Sequence, residues 1–225
     1  MMKLTPEIKF ELKRMLSVVS FIVFALVIHV LRQPVLGYRS HFFMLWNLFL
    51  AIIPYVIACV MLVINNYVKS KWWILILLGV LWLLFFPNAP YLLTSYVHFS
   101  WRGFFGGTAF SFPAWYEFLL FTSIIWSGII AGLVSLEIVH GIAEKYWGKI
   151  AGWLMIVIIN FLSSWAIYLG RFIRLNSWDV FTDPSLLLPH IILCRDRTIF
   201  VFVLGLFLTL MYICINKRAN SEMVC

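Results

Sequence analysis

The chain has 225 residues, of which 64% are hydrophobic and only 12% charged, about half the ~25% charged share of soluble domains. With 21 Phe, 11 Trp and 9 Tyr and a mean hydropathy of +0.99, most of its surface has to face an apolar medium. These numbers exclude a disordered chain, a secreted disulfide scaffold, a coiled coil and a nucleic-acid-binding domain, despite a formal charge of +8, and predict an all-α, polytopic helical membrane protein.

A spanning helix needs about 20 mostly apolar residues. Runs of that kind predict about six spans, at Met15 to Leu31, Phe43 to Ile64, Trp72 to Phe86, Trp115 to Val139, Ile150 to Leu169 and Thr198 to Ile215. Lys3, Lys9, Lys13 and Arg14 precede the first run like the basic region of a signal peptide. The segment after it, RQPVLGYRS, offers no small-x-small cleavage site, so an uncleaved anchor is expected. The third run is short before Pro87, and a broken or partly re-entrant continuation through Tyr91 to Phe99 would supply the missing length. With no internal repeat and no Pro/Gly/Ser-rich linker, residues 1–225 read as a single helical membrane domain.

Six spans put both termini on one side, with the loops around Lys69/Lys71 and Lys145/Lys149. That side carries ten Lys and Arg against seven on the other, and all eight lysines. The expected arrangement is therefore a multi-pass protein of the cytoplasmic membrane with both termini in the cytoplasm. Cys59, Cys194, Cys214 and Cys225 show no ligand spacing such as CxxC, and no disulfide framework or zinc site is expected.

The unusual polar residues then collect at the outer face. Span two opens there with Trp46-Asn47 and span four with Trp115-Tyr116-Glu117. Span three ends there in PNAPY, Pro87 to Tyr91, and span five in GRFIRLNSWD, Gly170 to Asp179. Two prolines three apart predict a backbone break at Pro87 to Pro90. Asn88 is placed either to cap the next segment or to bond the freed carbonyls, with Tyr91, Thr94 and His98 following on one helical face. Arg171 and Arg174, three apart, share a face if span five runs past Leu169. Their planar donor forks suit a carboxylate or phosphate, with Glu117 and Asp179 as internal partners. The blander reading is an ordinary interfacial turn at PNAPY and two arginines snorkelling to headgroups beside Trp178.

Other pairs read as structural. Glu137 and His140 form a lone ExxH, half of a di-iron helix pattern, and no metal site is expected. Ser163-Ser164 read as helix-packing residues, and His29, His41 and His190 lack a paired ligand spacing. Gly103, Gly106 and Gly107 with Phe104, Phe105, Phe110 and Phe112 suggest an outer loop that lies on the membrane or covers the polar cluster.

The pairing of FFPNAPYLLTSYVHF, Phe85 to Phe99, with YLGRFIRLNSWDV, Tyr168 to Val180, and with WNLFLA and WYEFLLF, resembles the bacterial membrane family called domain of unknown function 1361. The likeness covers about 43–184. In that family's pattern an acidic residue often follows the Thr of the first motif and an Asp often follows Trp-Tyr. Here those positions hold Ser95 and Glu117, so one carboxylate is kept and one is missing. The resemblance implies a multi-spanning membrane protein and brings no activity, substrate or cofactor.

The leading expectation is an outward-facing polar pocket of Asn47, Asn88, Tyr91, His98, Glu117, Arg171, Arg174, Asn176 and Asp179, binding an anionic or polar headgroup of a lipid or envelope precursor. An enzyme reading makes Glu117 or Asp179 the base, His98 a proton relay and the arginines the stabilisers of negative charge. A third reading is structural, with the same groups locking helices in a membrane assembly. Transport fits less well, because spans one, two, four and six carry few mid-membrane polar groups. No cofactor is indicated, and the catalytic residues are left unassigned.

Overall fold

Six helical segments are long and apolar enough to cross a bilayer in the computed structural model: Arg14–Leu36, Phe42–Tyr67, Trp72–His98, Phe112–Trp147, Lys149–Ile173 and Arg195–Ile215. The structure describes residues 6–37, 42–68, 72–102, 111–174, 183, 185 and 195–216, and no strand occurs among them. In chain order the elements are α1 (Pro6–Leu36), α2 (Phe42–Tyr67), α3 (Trp72–Phe85) and α4 (Asn88–Tyr91). A 3-10 helix (Leu92–Arg102) follows, then α5 (Phe112–Trp147), α6 (Lys149–Tyr168), a π-helical turn (Leu169–Ile173) and α7 (Arg195–Ile215). Two ends of this bundle can be distinguished. The motif end holds the ends of α1 and α6, the 3-10 helix and the starts of α2, α5 and α7; the opposite end holds the rest.

The hub is α5, with 72% of its most apolar window buried inside the protein against 17% for α1 and 22% for α7. Small residues put it there. Ser123, Ser127, Gly128, Ala131, Gly132 and Ser135 are all buried and let neighbouring helices approach closely, which is how helices associate where lipid is as apolar as the side chains. The serines carry no unmet polarity: Ser123 Oγ donates to Leu120 O at 2.9 Å, Ser127 Oγ to Ser123 O at 2.7 Å and Ser135 Oγ to Gly132 O at 2.8 Å. A local cap starts the helix, with Ala114 N–H donating to Ser111 Oγ at 3.4 Å and a proline in the first turn.

Residues around Lys145 and Lys149, read from sequence as a loop, form a one-residue turn instead. Gly148 alone separates α5 from α6 at φ 85°, ψ 166°, a region essentially confined to glycine. Its N–H donates to Glu144 O at 2.9 Å. That geometry folds α6 straight back along α5.

The third span is interrupted where the prolines predict, at a turn over Phe86-Pro87. PNAPY does not leave the helical path: Pro87 (φ −58°, ψ −22°) and Leu92 (φ −56°, ψ −29°) both keep right-handed helical backbone. The helix changes type, from α through a turn at Phe86-Pro87 to one α turn and then 3-10, and Trp72–His98 counts as one span. A three-residue bond, Ala89 N–H to Phe86 O at 3.1 Å, tightens the turn, and Tyr91 N–H to Pro87 O at 3.0 Å resumes the α pattern beyond it. Asn88 takes the second of its two expected roles: its Nδ2 donates to Phe85 O at 2.9 Å.

The glycines of α5 receive this kinked segment. A Cβ at Gly132 would lie 2.6 Å from Ala89 Cβ, and one at Gly128 would lie 2.2 Å from Leu92 Cδ1 and 3.1 Å from Ala51 Cβ. Gly128 and Gly132 therefore form a seat into which α4 and the start of the 3-10 helix drop.

Two ion pairs fasten α1 to the hub. Arg14 Nη2 meets Glu137 Oε2 at 2.5 Å near the opposite end, and Arg32 Nε meets Glu117 Oε1 at 2.5 Å near the motif end. On α5 the two carboxylates are 20 residues apart, about 30 Å at 1.5 Å per residue, which matches the ~30 Å hydrocarbon core of a bilayer. The charged pairs thus bracket the apolar belt from both sides.

Candidate functional site at the motif end

The expected polar residues divide into two groups, each built by a different pair of helices. The first joins α1 to α5. Arg32 is 1% exposed, and its guanidinium binds the Glu117 carboxylate, while the neighbouring Tyr116 hydroxyl donates to Ile28 O at 2.6 Å. Adjacent residues at the start of α5 therefore grip the last turns of α1 by a charge and by a hydroxyl. The sequence reading assigned Glu117 to Arg171 or Arg174; the structure corrects this, because α1 rather than α6 packs beside the start of α5. Arg32 was read only as a flanking charge of the first span. A signal for it did exist, since an arginine beside the polar end of an apolar run, 18 residues after another arginine, repeats at the span of the membrane core.

The second group joins the 3-10 helix to the end of α6. Arg171 sits on the π turn, which runs the helix past Tyr168 and aims this side chain inward. Its Nε and Nη2 both donate to Thr94 Oγ1, at 2.8 and 2.5 Å, and its Cζ lies 4.8 Å from the centre of the Tyr91 ring. Thr94 Oγ1 in turn donates to Tyr91 O at 2.7 Å. The hydroxyl is thereby filled, with its one hydrogen given and both lone pairs taken. Among the described residues, two of the five guanidinium N–H groups find an acceptor and no carboxylate contacts Arg171.

Helix type explains how the expected polar stripe splits. Residues three apart eclipse on a 3-10 helix, whereas a fourth lies roughly 120° round. Tyr91 and Thr94 accordingly share Arg171, but His98 turns to α2, its ring edge-on to Phe43 with centroids 5.2 Å apart. Arg174 departs as well. It adopts left-handed backbone (φ 65°, ψ 31°) where the π turn ends, with its N–H donating to Leu169 O, and its side chain is exposed. Arg171 and Arg174 therefore do not share a face, which corrects the spacing argument.

Asn88 is spent on the Phe85 carbonyl, and Asn47 is half-buried on α2 with no hydrogen bond among the described residues. Ser95, at the position where the family pattern often carries an acid, is fully buried, and its Oγ has no hydrogen-bond partner among the described residues. Asn176, Asp179, Trp178 and the Phe-rich stretch from Gly103 to Phe110 lie outside the described residues. Sequence reasoning also passed over Arg197 of α7, which is 7% exposed with its Cζ 5.2 Å from the centre of the Tyr168 ring.

The lone ExxH separates too, Glu137 going to Arg14 and His140 to Tyr212 at 2.8 Å. Among the described residues no group of three His, Cys, Asp or Glu side chains could hold a metal ion. Ser164 Oγ donates to Asn160 O at 2.8 Å, as a packing serine does.

No curated protein and no solved structure matches the chain. A family model does, described as protein of unknown function (DUF1361), over residues 46–213, a stretch that contains both sequence motifs and all of α5. Since the match takes in well over half of its length, the chain belongs to the DUF1361 family.

Proposed function

We propose that this multi-pass membrane protein binds an anionic headgroup at its motif end, through Arg171 held by Tyr91 and Thr94. One observation carries the reading: a half-buried guanidinium is fixed by a neutral hydroxyl and an aromatic face, with no carboxylate among its described contacts. An always-charged fork at that depth draws a counter-charge toward it, and planar guanidinium donors match the geometry of a phosphate. A lipid or envelope-precursor phosphate in the outer leaflet of a bacterial cytoplasmic membrane supplies that charge when both termini face the cytoplasm. Asn176 and Asp179 stay candidates for the polar rim, and Asn47 and His98 for its α2 side.

In this reading Glu117 is a clamp for α1 rather than a base, because Arg32 already occupies its carboxylate. The test uses purified protein in nanodiscs of phosphatidylcholine with increasing phosphatidylglycerol, followed by native mass spectrometry of retained lipid. Wild-type protein should keep phosphatidylglycerol selectively, and Arg171→Ala should lose that selectivity by about tenfold, the equivalent of one charge-assisted contact of ~1.4 kcal/mol. Arg174→Ala serves as the exposed control and should retain it. Equal retention by wild type and Arg171→Ala, with both folded, would remove the proposal.

A further inference from the structure

A second buried polar centre lies at the opposite end, and it involves no residue of the proposed headgroup site. His140 of α5 is 0% exposed, and Tyr212 of α7 and Asn216, the residue after that helix, are each 2% exposed. His140 Nδ1 is 2.8 Å from Tyr212 Oη, and Asn216 Nδ2 donates to the same oxygen at 3.2 Å. On the other side of the ring, Nε2 lies 3.3 Å from Glu144 Oε1, one turn along α5 and partly exposed, a charge contact that does not reach hydrogen-bond geometry. Trp153 of α6 closes the remaining side, edge-on to the imidazole at 4.9 Å between centroids. Gly152 keeps α6 close, since a Cβ there would sit 2.7 Å from Glu144 Cγ and 3.1 Å from His140 Nε2.

The contacts around the ring assign its proton. A bare lone pair on Nε2 would face a carboxylate oxygen at 3.3 Å, so the neutral ring carries its hydrogen there and leaves Nδ1 as an acceptor. The Tyr212 hydroxyl then donates to Nδ1, and Asn216 donates to Tyr212. The hydrogen bonds thus run from Asn216 through Tyr212 to His140, while Nε2–H faces the Glu144 carboxylate as a charge contact. A second proton on the ring reverses one link: Nδ1–H becomes a donor to Tyr212 Oη, joins Asn216 on that oxygen, and forces the phenol hydrogen to turn away.

We propose that His140, Tyr212, Asn216 and Glu144 form a protonation-sensitive latch that holds the end of α7 against α5 while the imidazole is neutral and loosens it when the ring is charged. The groups that face His140 are Glu144 on its own helix, Tyr212 from α7, and Trp153 and Gly152 from α6, of which the last two do not titrate. Glu137, one turn earlier on α5, is held by Arg14 of α1, and Lys145 and Lys149 flank the Gly148 turn. The latch couples a proton on one side of the membrane to the packing of the last span.

Histidine-selective 15N NMR of the wild-type full chain in nanodiscs tests the assignment, the His140 signal being identified by its loss in His140→Gln. The expected spectrum at pH 7.5 shows a neutral ring protonated on Nε2. Amide exchange over 208–216, corrected for intrinsic chemistry, should then rise about fivefold when the ring becomes doubly protonated on acidification, the equivalent of about 1 kcal/mol for a buried phenol hydrogen left without an acceptor. Tyr212→Phe should exchange fast at both pH values, and His140→Gln, which keeps an acceptor for Tyr212 but cannot titrate, should show no step. A ring protonated on Nδ1 alone at pH 7.5, or an equal step in His140→Gln, would overturn the latch.

Discussion

Replacing Gly132 with alanine should destabilise the protein, although the same change at most helix positions stabilises it. The added methyl would stand 2.6 Å from Ala89 Cβ, about 1 Å inside the ordinary carbon–carbon contact of ~3.5–4.0 Å. Neither methyl can rotate away, since both are fixed to backbone, and Ala89 is fully buried in a four-residue helix between Pro87 and Leu92 that contains Pro90. Overpacking of this kind costs about 1–3 kcal/mol, against a gain of up to ~1 kcal/mol from helix propensity, leaving a net loss of roughly 1–2 kcal/mol. Gly79→Ala is the internal control, because its new Cβ meets only Met61 Cε at 3.9 Å, and it should be neutral or stabilising. The decisive variant is the double one. With Ala89→Gly the facing methyl is gone, and the new Cβ at 132 is left at an ordinary 3.9 Å from Cα of residue 89. Reversible unfolding in mixed detergent–SDS micelles, read by circular dichroism, should give a favourable coupling of about 1–2 kcal/mol between the two changes. An additive cycle, or Gly132→Ala at least as stable as wild type, would refute the seat that positions α4 and, through it, Thr94.

Three further outcomes follow from the same contacts. Arg32→Ala should cost about 3 kcal/mol because it takes the buried guanidinium away from the part-buried Glu117 carboxylate, whereas Arg32→Met combined with Glu117→Leu should cost less than either single change; the same unfolding assay separates them, and a double variant worse than both singles would contradict the clamp. Gly148→Ala should lose about 1–3 kcal/mol, since alanine has to adopt φ 85°, ψ 166° with no clash to relieve; unchanged stability would mean that α5 and α6 tolerate another turn. In a background without native cysteines, Phe112→Cys and Ile150→Cys, both exposed and at opposite ends of α5 and its turn, should label with an impermeant thiol reagent on intact cells and only after permeabilisation, respectively. The reverse pattern would place the termini outside.

Composition and the length of apolar runs were enough to count the spans, because a bilayer demands about 20 apolar residues per helix regardless of what the helix packs against. The same holds for the proline signal at PNAPY, which marked where regular hydrogen bonding fails and which side chain, Asn88, could repair it. Partners were another matter. Which carboxylate meets which arginine depends on helix neighbours, and periodicity along one helix carries no information about the identity of the helix beside it; hence Glu117 was legible as a charge to be paired, but its pairing with Arg32 was decided only by the packing of α1 on α5. Tyr91, Thr94 and His98 show a subtler case. Their spacing puts them on one face of an α-helix, and only the switch to 3-10 geometry, in the segment whose Ala89 and Leu92 seat on Gly132 and Gly128, sends His98 to Phe43 and leaves Tyr91 and Thr94 to hold Arg171. Sequence therefore determined that polar groups gather where the third and fifth spans end; tertiary packing decided which of them touch, since contact is a property of two surfaces and the chain writes them far apart.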